Sequence, residues 1–148
     1  MKIFFRILLL TVAVALILLS PSVQQFSIGS VCAKNSCFQV KLAKTEAQKE
    51  KGLMGVSFLD KDKGMLFVFE KEGIYPFWMK NTLIPLDIIW IGGDKKVVFI
   101  GQNIEPCKSL ICPPIVPPGP GAKYVLEINA GMAKEIGLEV GDELKITP

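Results

Sequence analysis

The sequence predicts a mainly β fold, a β-barrel or β-sandwich of about six or seven short antiparallel strands with two short helices. An N-terminal apolar signal or anchor helix precedes it. Three observations predict this. Apolar residues alternate, or run in blocks of five or six, between clusters of Gly, Pro, Asn and Asp. Gly92-Gly93-Asp94 joins two such blocks as a hairpin turn would. Six of the ten prolines fall between Asn103 and Gly121, where a missing backbone N–H excludes a sheet ladder.

The chain opens with Lys2 and Arg6, then an apolar run from Ile7 to Leu19 broken by Thr11, then Ser20-Pro21. Positive charge, apolar core and polar break are the parts of a secretory signal. The apolar length also reaches the lower edge of what spans a bilayer. Residues 1–33 are therefore expected to be a signal peptide or membrane anchor with a polar tether, and residues 37–148 a single β-rich domain. Val31-Cys32-Ala33 offers a small-residue cleavage site before Lys34; a retained anchor and a cleaved signal both stay open. Either way the domain is extracytoplasmic: secreted, periplasmic, or held at a membrane by its N-terminal segment.

Within the domain, Phe38 to Leu42 alternates apolar and polar as a half-buried strand does. Thr45-Glu46-Ala47-Gln48 reads as a capping box opening a short helix that Gly52 ends. Gly64 to Phe69 is a strand apolar on both faces. Tyr75 to Asn81 is a further extended piece. Leu86 to Ile91 and Lys96 to Ile100 form the hairpin. Asn103 to Gly121 is a long ordered loop, of a kind that is often functional. Lys123 to Ile128 is a strand, Asn129 is expected to cap a short helix ending at Gly137, and Glu143 to Ile146 is a last strand.

Composition narrows the chemistry. The chain has no His, and its one Arg is Arg6. Without His there is no Ser-His or Cys-His nucleophile pair and no His-containing zinc site. Past the leader, 15 lysines face 14 carboxylates. A net charge of +1 gives no footprint for nucleic acid. Four cysteines in an exported chain suggest disulfides. Cys107 and Cys112 enclose a short loop that closes easily. Cys32–Cys37 is the natural second pair, provided that cleavage spares Cys32. Two C-x4-C spacings differ from those of common four-Cys zinc sites.

Three segments carry a resemblance: Lys51-Gly52-Leu53-Met54, Gly64-Met65-Leu66-Phe67-Val68-Phe69, and Phe77-Trp78-Met79-Lys80-Asn81-Thr82 with Ile84-Pro85-Leu86-Asp87. Together with the Cys107–Cys112 loop and the tail from Asn129-Ala130-Gly131 to Gly141-Asp142, they resemble the uncharacterised domain-of-unknown-function family numbered 192, over roughly Val40 to Ile146. The resemblance implies a small, mainly β, often exported domain, and no reaction. Many members carry Arg after Leu-Met, where this chain has Gly55-Val56, so no role of that Arg carries over.

The central motif has a physical reading of its own. Phe77 and Trp78 offer an apolar wall, and Lys80, Asn81 and Asp87 offer polar groups to orient a ligand. An acid inside an apolar strand needs a partner, and Lys80 is the nearest. The structural alternative makes Asn81 and Thr82 turn residues, Trp78 core, and Asp87 an acceptor of backbone N–H groups. Met54, Met65 and Met79 offer soft thioether ligands for Cu(I), although Met more often fills gaps in a core. Glu70 and Glu72 read as solvated. The expected function is a binding or accessory module for a small molecule or an envelope protein, with no cofactor implied. The alternatives are a His-free hydrolase or transferase with a Lys80/Asp87 dyad, and Met-based Cu(I) handling.

Overall fold

The computed structural model describes residues 25–148. The apolar helix expected between Ile3 and Leu19 lies outside the described residues. Seven strands form one sheet: β1 (Ser27–Ala33), β2 (Ser36–Ala43), β3 (Lys63–Gly73), β4 (Leu86–Ile91), β5 (Val97–Ile104), β6 (Ala122–Asn129) and β7 (Lys145–Thr147). Their order across the sheet is β5-β4-β6-β3-β2-β1-β7. Two short helices complete the described residues: α1 (Glu46–Lys51), after β2, and α2 (Met132–Glu135), after β6.

The expected barrel or sandwich is an open sheet. Its edges approach at one end, where Val97 N–H donates to the Asp142 carbonyl at 2.9 Å and Leu144 N–H donates to the Lys95 carbonyl at 2.9 Å. Only an isolated bridge between Lys96 and Glu143 forms there, so β5 and β7 do not pair and the sheet is not closed. The strands are also not all antiparallel. β2 runs parallel to β3, with Val40 opposite Gly64 and Leu42 opposite Leu66. A parallel pair needs a crossover rather than a tight turn, and the segment from Lys44 to Asp62, with α1, supplies it.

Period-two alternation sorts the central strands onto two faces. Leu66, Ile89, Ile91, Leu126 and Ile128 pack with Phe38, Val40 and α2 on one face. Met65, Phe67, Leu86, Ile88, Trp90 and Val125 pack on the other, beneath Leu53, Met79, Phe77 and Ile115. Burial on both faces explains why β3 and β4 read as unbroken apolar runs.

The polar tether expected at the end of residues 1–33 is also corrected. Its residues from Ser27 to Ala33 are β1, held between β2 and β7. Gly29 is small because the chain end crosses it: a Cβ there would lie 2.6 Å from the Thr147 carbonyl oxygen. Cys32 and Cys37 stand directly opposite in the β1–β2 register and are joined as a disulfide. The second disulfide is Cys107–Cys112. At α1 the capping box forms as read, with Gln48 N–H donating to Thr45 Oγ1 at 3.2 Å. At α2, Gly131 occupies the cap position with φ 83°. Asn129 is engaged elsewhere, donating to the Leu59 carbonyl at 2.8 Å. Among the described residues, no helix is long and apolar enough to cross a membrane.

Candidate functional site

The segment expected to carry the site is built by two supports. Asn81 adopts φ 55°, a left-handed conformation that Asn tolerates better than most residues. It turns the chain so that Thr82 N–H donates to the Met79 carbonyl at 3.2 Å, while the Asn81 carbonyl accepts from Gly55 N–H at 2.9 Å. Asn81 is thus a turn residue. The proline-rich loop is the second support. Phe77 N–H donates to the Ile115 carbonyl at 3.0 Å, and the Phe77 carbonyl accepts the Ile115 N–H in return at 2.6 Å. Cys107 N–H donates to the Met79 carbonyl at 3.2 Å. The disulfide loop therefore anchors the aromatic segment.

Asp87 and Lys80 are not brought together. Asp87 is fully buried. Its Oδ1 accepts Asn103 N–H at 2.8 Å, and its Oδ2 accepts Ala133 N–H at 2.8 Å. Asp87 stands opposite Ile128, on the face shared with α2, so β4, β5 and α2 are tied through one carboxylate. Lys80 is exposed, its Nζ 5.5 Å from the centre of the Trp78 ring. A Lys80/Asp87 dyad does not form. Of the three methionines, Met65 and Met79 are packed in the apolar core, and Met54 is half-buried at the wall of a cleft.

That cleft, of about 170 Å³, lies between α1 and the face of the sheet bearing Phe67. Its walls are aromatic. Phe67 meets Phe77 edge-on with centroids 4.8 Å apart, and Phe69 stacks on Tyr75 at 3.6 Å. Trp90 packs edge-on against Phe77 from the core, and its Nε1–H donates to the Tyr75 carbonyl at 2.9 Å. These contacts fix the stretch from Tyr75 to Trp78 against the sheet. Trp78 borders the cleft at 45% exposure. Lys49 lies along the wall with its Nζ 4.7 Å above the Phe69 ring and 3.0 Å from Glu46 Oε1.

The cleft also holds a residue that sequence reasoning missed. Glu127, on β6, lines it at 5% exposure. Its cross-strand neighbours are Met65 and Ile88, neither able to pair with a carboxylate. Its Oε2 is buried with no hydrogen-bond partner. Burial raises its pKa from 4.5 to about 8, because a charged carboxylate is poorly solvated there. The signal was available: Glu127 interrupts the run Val125-Leu126-Glu127-Ile128, and an acid there needs a partner as much as Asp87 does.

Residues 30–146 match the family described as Uncharacterized ACR, DUF192. The chain belongs to this DUF192 family. It is similar to a solved protein of unknown function from Novosphingobium aromaticivorans, with 36% identity, a TM-score of 0.75, and coverage of 84% of this chain and 89% of that one. It is also similar to a solved protein from Sinorhizobium meliloti described as a proposed transcription regulator, with 35% identity, a TM-score of 0.74, and coverage of 82% and 95%. No curated protein matches the chain significantly. DUF192 membership supplies the fold and no reaction.

Proposed function

We propose that this DUF192 protein is an extracytoplasmic binding module that takes a small molecule into the cleft between α1 and β3. One observation carries the reading: Glu127, which lines the aromatic-walled cleft, holds a buried carboxyl oxygen without a hydrogen-bond partner. Burying a polar group unpaired costs about 1–3 kcal/mol. A ligand that hydrogen-bonds Glu127 recovers that cost. A concave, mostly apolar site with few polar groups is the usual form of a small-molecule site. Phe77, Trp78 and Met54 supply apolar contact, and Thr82 is the other buried polar residue on the wall. Lys80 and Asn81 sit at the outer edge, bordering a shallower groove with Trp78. Asp87 acts from behind the sheet, as a structural tie. Two disulfides suit an oxidising compartment, and the apolar N-terminal segment offers the means of reaching it.

The test is native mass spectrometry of the full chain recovered from its own envelope without reducing agent. A retained small molecule, lost in both Trp78→Ala and Glu127→Gln, is the expected result. A ligand retained equally by all three proteins, or no ligand in any, would overturn the cleft as the site.

A further inference from the structure

We propose that the occupant of this cleft is a small protonated amine with an apolar body, its ammonium seated between the Glu127 carboxylate and the aromatic wall. The inference rests on the reading of the cleft as a binding site and names the ligand class for it. Three observations point to it.

The first is the acceptor. Glu127 Oε2 lacks any donor, and no described lysine forms an ion pair with this residue. A primary ammonium brings three N–H donors and the opposite charge together, whereas a neutral hydroxyl brings one donor and no charge.

The second is the wall. Phe67, Phe69, Tyr75, Phe77 and Trp78 all line the cleft. Aromatic faces attract cations by about 0.5–2 kcal/mol each, most strongly when water is excluded. The protein already uses the wall in this way: the Lys49 side chain is only 13% exposed, with its ammonium over Phe69.

The third is the balance of the surrounding charge. The other titratable groups lining the cleft are Glu46, Lys49, Glu50 and Lys51 from α1, and Tyr75. Lys49 is paired with Glu46, and the Tyr75 hydroxyl donates to the Lys71 carbonyl. Glu50 and Lys51 carry opposite charges. The α1 rim is therefore neutral in sum, and Glu127 is the one buried carboxyl lining the cleft, with no described lysine paired to it.

Entry of the amine is a proton exchange. The Glu127 carboxyl gives up its proton to solvent, and the carboxylate left behind accepts N–H groups from the ammonium. Affinity for the amine therefore rises with pH until Glu127 is ionised in the free protein. With the Glu127 pKa near 8, binding at pH 9 should be roughly tenfold tighter than at pH 7.

The experiment is isothermal titration calorimetry of the full chain, disulfides intact, with phenethylamine, butylamine and cadaverine, each set against its neutral alcohol. Titrations at pH 7 and pH 9, in buffers of different ionisation enthalpy, count the protons released. The expected result has the amines binding at least tenfold tighter than the alcohols. They release close to one proton at pH 7, and Glu127→Gln loses both features. If the alcohols bind as well as the amines and Glu127→Gln has no effect, the amine class is overturned while the cleft stands as a site for neutral ligands. If no amine binds while native mass spectrometry still finds a ligand held through Trp78 and Glu127, the amine class is again overturned and the binding reading survives. If no amine binds and no ligand is retained, both fall.

Discussion

The Asp87 carboxylate accepts the Ala133 backbone N–H at 2.8 Å, joining β4 to the first turn of α2 inside the core. With Asn103 N–H on the other oxygen at 2.8 Å, both acceptors are committed to backbone donors. Asp87→Asn replaces one oxygen with an NH2 group that faces a donor. That leaves a buried polar clash and is expected to cost about 2–4 kcal/mol. Lys80→Ala, at an exposed position, should change stability by less than about 0.5 kcal/mol. Urea denaturation of the two variants checks the pair. Equal effects would mean that Asp87 does not hold these elements together.

Glu127 sets a pH dependence of the opposite sense to most acids. Below pH 4.5 both folded and unfolded chains hold its proton. Between 4.5 and about 8 only the folded chain does, so each rise in pH favours unfolding. Above 8 the penalty is complete, on the order of a few kcal/mol. Stability should therefore fall from pH 5 to pH 9 in the ligand-free protein by more than it does in Glu127→Gln. At pH 9 the Gln variant should be the more stable of the two. Urea midpoints at pH 5, 7 and 9 decide it, and a difference between the two proteins that does not move with pH would remove Glu127 as the cause.

These two acids mark how far the sequence could be read. Both interrupt apolar strands, which flags a buried carboxyl. The sequence cannot show which face each takes or what meets it there. The partners of Asp87 are backbone amides 16 and 46 residues away, supplied by tertiary packing, and the nearer Lys80 plays no part. The strands from β2 to β6 were legible because burial leaves dense apolar patterns. β1 was not, because Ser27, Gly29 and Ser30 are small or polar, and Gly29 must be small where the chain end crosses it. The parallel β2–β3 pairing was hidden because strand direction depends on the crossover, which no local pattern encodes. The cleft itself was half legible: its aromatic wall stood out in Phe77-Trp78, while Glu127 could be flagged as buried but not placed on that wall.

The Cys107–Cys112 disulfide should matter more to the cleft than its small loop suggests. Closing so short a loop is worth about 2 kcal/mol by chain entropy. The loop also presents Cys107 N–H and Ile115 to the backbone of Met79 and Phe77. The double variant Cys107→Ser/Cys112→Ser should therefore raise amide hydrogen exchange at Phe77 and Ile115, while the amides of β3 and β6 stay protected. Exchange that rises uniformly across the sheet would mean that the bridge stabilises the whole domain and has no special bearing on the aromatic segment.

The position of β1 bears on where the chain could be cut. A cut before Lys34 would remove the strand that lies between β2 and β7, and with it the partner of Cys37. Val31 and Ala33, both buried in the core, would go too. Losing two core side chains of this size, one strand ladder and a disulfide together removes several kcal/mol, comparable to the whole stability of a small domain. Any signal cleavage compatible with this fold therefore lies upstream of Ser27. Intact-mass analysis and N-terminal sequencing of the envelope form should find Ser27 to Ala33 present, and Cys32 and Cys37 oxidised. A truncated chain starting at Lys34 should express as an unstable species with Cys37 reactive to thiol reagents. A folded, stable form beginning at Lys34 would show that the sheet closes over its lost strand.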